Sequence, residues 1–200
     1  NAQKVRPEIL ARLQQGATIA LISDAGMPLV SDPGYRLVKE AVEQGIPVTA
    51  CPGPSAVLTG LALSGLPTDR FLFGGFVPQK QGERKRLFEE FAKLRATLIF
   101  FESPHRIVET LHDLGLALPG RAVAVTRELT KLHEEAVSGT LLELAAHYGE
   151  APRGEIVIIV APPGEDVRPV ADGRRAGHRA PRRGSRGTPA ACRTARRSCA

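Results

Sequence analysis

The sequence lacks most of the features that signpost a function. Aromatic residues make up 4% of its 200 positions. Its unbroken apolar stretches are short, residues 156–161 among them, so nothing approaches the ~20 residues a membrane-spanning helix needs. Residues 1–6 lack the apolar core of a secretory signal. Three cysteines, none in a C-x-x-C pair, argue against a disulfide framework or a structural zinc site. These absences point to a cytoplasmic setting without membrane attachment. G-x-G-x-x-G, G-x-x-x-x-G-K-[ST] and H-E-x-x-H are missing too, which removes the best-marked dinucleotide, nucleoside triphosphate and zinc-protease readings. Gly53-Pro54-Ser55 is half a nucleophile elbow, but Val57 stands where the second glycine belongs. Ser55 reads more simply as a helix N-cap.

What the chain does have is positive charge, unevenly placed. The net charge is +6, yet ten of the 27 basic residues and only three of the 21 acidic ones fall in 162–200. The remainder, 1–161, holds 17 basic and 18 acidic residues and is nearly neutral. Residues 162–200 contain no lysine, aromatic, leucine or isoleucine, so they cannot bury enough apolar surface to order themselves. The segment is expected to be a disordered arginine-rich tail. It reads either as a basic arm for RNA or as out-of-frame translation of GC-rich DNA.

Residues 1–161 alternate strand and helix signals. A short helix is expected over 7–15, ending at Gly16, and a strand over 18–23. Asp32 as N-cap and Pro33 as first residue predict a helix to Gln44, stopped by Gly45. A strand follows over 46–50, then Cys51-Pro52-Gly53-Pro54 and a helix over 55–64. Strand, glycine-rich turn and helix, twice over, predict a parallel α/β sheet with its loops at the strands' carboxyl ends. Gly74, Gly75 and Pro78 suggest a bend or linker within 70–78. Beyond it, strands are expected over 97–101, 122–126, 134–138 and 155–161, with helices over 82–94, 105–114 and 141–148. This divides the chain into 1–74, 75–161 and the tail. Two strands are too few for a stable sheet, so the first unit reads as an incomplete domain.

Two loops and two charged segments carry the chemistry. Ser23-Asp24-Ala25-Gly26-Met27-Pro28 and Pro52-Gly53-Pro54-Ser55-Ala56 hold small and cyclic residues that leave main-chain groups open to a ligand. Neither holds a cation, so a neutral or cationic ligand suits them better than a phosphate; tight turns without a ligand are the alternative. Phe101-Glu102-Ser103-Pro104-His105-Arg106 and Thr126-Arg127-Glu128-Leu129-Thr130-Lys131 put charge where strands end, the usual ligand edge of open α/β sheets. Glu102, His105, Arg127, Glu128 and Lys131 are candidates for acid, base or phosphate contacts, and local ion pairing is the alternative for each.

The segments SDAGMPLVSDPG (23–34), CPGPSA (51–56), LPTDRFLFGGFVP (66–78), FESPHR (101–106), TRELTK followed by Glu134 and Glu135 (126–135) and RGEIVIIV (153–160) together closely resemble the ribosomal RNA small subunit methyltransferase I family. That family groups S-adenosylmethionine-dependent cytidine 2′-O-methyltransferases within the tetrapyrrole methylase superfamily. The resemblance implies a two-domain α/β architecture of the class III methyltransferase kind, with the first domain incomplete because an A-T-P-I-G-N-L-like loop and an E-D-T-R segment have no counterpart here. It implies that Asp24, Ala25, Gly26 and Met27 line the donor pocket and that Ser55 and Ala56 contact the donor from the second loop. Phe101, Thr126 and Glu155 would close the pocket from the other unit. No metal is implied. The implied partners are small-subunit ribosomal RNA within the 30S particle and a second copy of the chain.

The implied reaction is displacement at the sulfonium methyl by a ribose oxygen, for which the protein mainly aligns and desolvates the reacting atoms. A base helps as the hydroxyl loses its proton; Glu102, Glu128 and His105 are the candidates in that order. Arg106, Arg127 and Lys131 suit RNA phosphates, and Lys80, Arg84, Lys85 and Arg86 extend that track, unless they simply form a solvated helix face. Two rivals remain: a methylase of tetrapyrroles or another small molecule or protein from the same superfamily, and a non-catalytic RNA-binding fragment.

Overall fold

The computed structural model describes residues 2–149 and 152–164. The disorder expected of the arginine-rich tail falls almost wholly outside them. No helix among the described residues is long and apolar enough to cross a membrane.

The chain opens with α1 (Ala2–Gln14), α2 (Tyr35–Glu43) and α3 (Ala56–Leu63). A five-stranded sheet then alternates with helices: β1 (Phe71–Phe76), α4 (Gln81–Phe91), β2 (Thr97–Glu102), a single 3-10 turn at Pro104–Arg106, α5 (Ile107–Ala117), β3 (Val123–Arg127), β4 (Glu135–Gly139), α6 (Leu141–His147) and β5 (Ile156–Val160). The spatial order is β1-β2-β5-β3-β4. Only β1 and β2 run parallel. The last strand inserts between β2 and β3, antiparallel to both.

That central placement explains the nearly continuous apolar sequence of β2 and β5, since both of their faces are covered. Leu98, Phe100, Ile156, Ile158 and Val160 point to the side held by Phe88, Ile107, Leu111, Leu114, Leu144 and Tyr148 of the helices, all buried. Their alternates Ile99, Val157 and Ile159 pack with Ala124 against Val57 and Leu61 of α3. A period of two along the strands thus serves two cores. Thr140 begins α6 with a reciprocal cap: its hydroxyl accepts from the Glu143 N–H and the Glu143 carboxylate accepts from the Thr140 N–H.

Several expectations are corrected. Residues 18–23 and 46–50 form no strand. Neither run pairs with a strand among the described residues, and Ile22 is 85% exposed. The sheet is therefore mixed, not parallel, and is built from residues 71–160 with no strand from 18–23 or 46–50. Helix α2 starts at Tyr35 behind Gly34 without a side-chain cap. Asp32 instead accepts a hydrogen bond from Ser23 Oγ at 2.5 Å. The stretch read as a linker is edge strand β1, with a one-residue irregularity between Phe73 and Phe76. Gly74 there reflects a steric need: a Cβ would lie 2.5 Å from Cε1 of Phe100. In the leading region, Arg6 pairs with Glu40 at 2.9 Å beside buried Leu10 and Ala41, joining α1 to α2.

Candidate functional site

The two small-residue loops meet. A Cβ built on Gly26, whose φ is +75°, would lie 3.9 Å from the Pro54 carbonyl oxygen, and one on Gly53 would lie 4.0 Å from Met27 Sδ. Asp24, Ala25 and Gly26 are exposed and Met27 is half-buried. Ser55 caps α3, its hydroxyl accepting from the Leu58 N–H at 3.5 Å, and Ala56 opens the helix in an exposed position. The junction offers main-chain edges, one exposed carboxylate and little side-chain bulk. That fits a small ligand with polar rims, the adenosine and amino-acid ends of S-adenosylmethionine included.

Helix α3 carries this junction onto the sheet. Gly60 passes so close to β3 that a Cβ would sit 3.1 Å from Thr126 Oγ1. Thr126 is wholly buried, and its hydroxyl has no hydrogen-bond partner. The structure thus places Thr126 beneath α3, away from open surface. Phe101 is half-buried against Phe73 and Phe76, and Glu155 stands exposed just before β5.

Antiparallel insertion of β5 brings its start to the carboxyl ends of its neighbours: Ile156 lies opposite both Glu102 and Arg127. FESPHR, RELTK and RGE therefore share one end of the sheet. Glu102 does not act there as an open base. Its side chain is fully buried; Oε1 accepts from the Ser103 N–H at 2.6 Å and from Arg106 Nη2 at 2.7 Å, while Oε2 accepts from Thr110 Oγ1 at 2.5 Å. These bonds hold the 103–106 turn to α5. Glu128, at φ +49°, accepts from Lys131 Nζ at 2.9 Å and from the Glu155 N–H at 3.0 Å. Those bonds, the lysine's first, lower its pKa from the ordinary carboxylate value, which suits an anchor better than a base. His105 is exposed in the 3-10 turn. Of the three base candidates it is the most exposed: Glu102 is buried and Glu128 is half-buried.

The basic residues divide likewise. Arg84 is corrected: it is wholly buried, donating from Nε to Asp113 Oδ2 at 2.6 Å and from Nη2 to Glu109 Oε1 at 2.5 Å. Burial alone would depress its pKa, but these carboxylates hold it above the ordinary value. It fastens α4 to α5. Arg127 donates to Glu135 at 2.9 Å and to the Arg153 carbonyl at 3.0 Å, and Lys131 bridges Glu128 to Glu155 at 3.0 Å. Lys80 and Arg86 are exposed and Lys85 is half-buried. Arg106 keeps one buried guanidinium nitrogen, Nη1, without a partner.

Sequence reasoning missed several residues that hold these groups: Thr110, Glu109, Asp113 and His147, whose Nε2 lies 3.1 Å from Glu135 Oε1. Glu135 is pulled to a lowered pKa because, although burial opposes it, Arg127 and His147 outweigh burial. The available signal was spacing along α5, since Glu109 and Asp113 are one helical turn apart and face the same neighbour.

Residues 1–145 match the profile of the tetrapyrrole (corrin/porphyrin) methylases. The chain is 55% identical over 165 residues to the ribosomal RNA small subunit methyltransferase I of Mesorhizobium japonicum, covering 81% of this chain and 56% of that protein. It is 42% identical over 162 residues to the protein of the same name from Thermotoga maritima, covering 80% of this chain and 72% of that one. Among solved structures it is similar to the methyltransferase CobJ (TM-score 0.59, 18% identity, 79% of this chain and 70% of that one). It is also similar to a diphthine synthase (TM-score 0.59, 15% identity, 79% and 65%). These two likenesses concern the fold. The chain spans a little over half the length of the Mesorhizobium relative. On sequence and architecture alike, the chain belongs to the tetrapyrrole methylase family, in the group named ribosomal RNA small subunit methyltransferase I.

Proposed function

We propose that the protein takes part in S-adenosylmethionine-dependent methylation of the ribose 2′-oxygen of a cytidine in small-subunit ribosomal RNA. One observation carries the reading: the inserted β5 gathers the FESPHR, RELTK and RGE segments at a single sheet end, in a chain whose relatives at 55% and 42% identity are named ribosomal RNA small subunit methyltransferase I. Asp24, Ala25, Gly26, Met27, Ser55 and Ala56 would hold the donor, with Phe101 and Glu155 at the facing strand ends. The donor supplies a methyl already activated by its sulfonium. The ribose oxygen forms the new bond to that carbon as the carbon–sulfur bond breaks, and the sulfur leaves as a neutral thioether. His105, exposed in the 3-10 turn, would take the hydroxyl proton. Glu102 holds the turn that bears it, and Arg106, Arg127 and Lys131 set the electrostatics for an RNA backbone.

Transfer of labelled methyl to 30S subunits, followed by alkaline hydrolysis, tests this directly. A 2′-O-methyl group blocks cleavage at its own linkage, so label is expected in an alkali-resistant dinucleotide beginning with cytidine. Label released in mononucleotides would mean base methylation and would overturn the assignment. Calorimetry with S-adenosylhomocysteine should show Asp24→Ala and Ser55→Trp each weakening binding about tenfold, through a lost hydrogen bond and a filled pocket respectively. Unchanged binding by both would remove the donor from the loop junction.

A further inference from the structure

The edge strand β1 contains a device that rotates one side chain. Phe73 lies opposite Ile99, but the next matched pair is Phe76 with Phe101, so three steps along β1 answer two along β2. The extra residue is absorbed at Gly75, which has φ +76° and open space where a side chain would be. In a regular strand Gly75 would match Phe101, and Phe76 would turn toward the face of Phe88 and Phe100. The bulge sends it instead to the α3 face, beside Phe73 and Phe101. Phe101 meets Phe73 edge-on at 4.7 Å between ring centroids and Phe76 at 5.3 Å. Bulges of this kind re-aim side chains next to functional sites.

Phe76 gains little cover from the rotation, since it is 58% exposed. It leans on Phe101 and keeps the rest of its ring in solvent, at the sheet end where FESPHR begins. Arg106, in the FESPHR segment, is anchored by Glu102 and its Nη1 is buried and unpaired. Lys80, four residues after Phe76, pairs with Glu83 at 3.1 Å and keeps a side chain 81% exposed. An open aromatic surface braced from behind is how proteins take single-stranded RNA, stacking an unpaired base on the ring.

We propose that Phe76, aimed by the Gly75 bulge and braced by Phe101, is the stacking platform for an unpaired nucleobase of the RNA substrate. The inference rests on the reading of the protein as an RNA ribose methyltransferase and adds the residue that holds the base. Binding of a fluorescent single-stranded RNA from the small subunit is compared for the whole chain and for Phe76→Leu and Phe76→Tyr, alongside calorimetry with S-adenosylhomocysteine. Leucine keeps apolar bulk without a π-face. It should weaken RNA binding about tenfold, while tyrosine should bind within about twofold of the parent and donor affinity should stay unchanged in both. A series of RNAs with one base removed at a time should contain one position whose loss weakens the parent but not Phe76→Leu. Leucine binding RNA like the parent would overturn the proposal, as would failure of the parent to bind RNA or a loss confined to the donor. The last outcome would give the ring to the donor's adenine. Label found on a base instead of a ribose would refute the proposed reaction while leaving the stacking result standing.

Discussion

Ile22 and Ile158 are the same residue type in runs of similar β-propensity, yet one is 85% exposed and the other 0%. Around Ile158 two strands pair with its own and helices cover both faces. Around Ile22 no strand forms among the described residues. The leading region instead joins α1 to α2 through the Arg6–Glu40 ion pair and a hydrogen bond from Gln14 to Gln44. Strand propensity is latent until a neighbour supplies hydrogen bonds and a face to bury. The sheet region has both, and its charged groups are held as firmly as its apolar ones: Arg84 between two carboxylates, Glu102 between three donors.

The contrast is broken most strongly at Arg84. Arg84→Ala leaves Asp113 buried without its cation and should cost about 3–5 kcal/mol, seen as a lower urea midpoint. Replacing the pair with Met at 84 and Leu at 113 should recover most of that loss. If Arg84→Ala unfolds like the parent, the α4–α5 junction is held by its apolar contacts alone.

A smaller, local effect is expected from acid. The folded pKa of Glu128 is lowered by Lys131 and the Glu155 N–H. Its stabilising contribution is therefore present above the unfolded value of about 4.3 and is lost as pH falls through the lower folded value. Lys131 is raised by Glu128 and Glu155, so its share is present below its unfolded value of about 10.4 and fades as pH climbs through the folded one. The Glu155 amide resonance should shift on acidification from pH 7 to about 3, and Glu128→Gln should abolish the step. A resonance insensitive to that titration would contradict the clamp.

The least effect belongs to the leading region. Ile22→Ser should change stability by no more than about 0.5 kcal/mol, measured by the same urea titration. A loss of several kcal/mol would show that Ile22 is buried in solution and that the two regions are more alike than described.

The sheet's central strands were legible because an apolar run covered on both faces looks the same in sequence and in space: β2 and β5 fall within a residue of their expected positions. The two leading runs carried the same signal but not the information that a neighbour exists. Gly74 and Gly75 were read as punctuation, although one makes room for Phe100 and the other bends an edge strand. The strand ends were visible as charged motifs. The division of labour among them was not, because Thr110, Glu135 and Asp113, which occupy Glu102, Arg127 and Arg84, lie eight to 29 residues away in sequence.

The position of β5 has a consequence for how the protein is made. Residues 156–160 are synthesised after the other four described strands, yet they fill the middle of the sheet. Until they emerge from the ribosome, β1–β2 and β3–β4 are separate two-stranded ribbons, marginal by themselves, with the inner edges of β2 and β3 open to stray pairing. Closure then requires contacts as distant as Leu98 with Val160, a slow kind of step, and one in which a nascent chain gains from a chaperone's shelter. A stop codon or frameshift upstream of Ile156 would remove not one strand but the two interfaces that join the halves of the sheet.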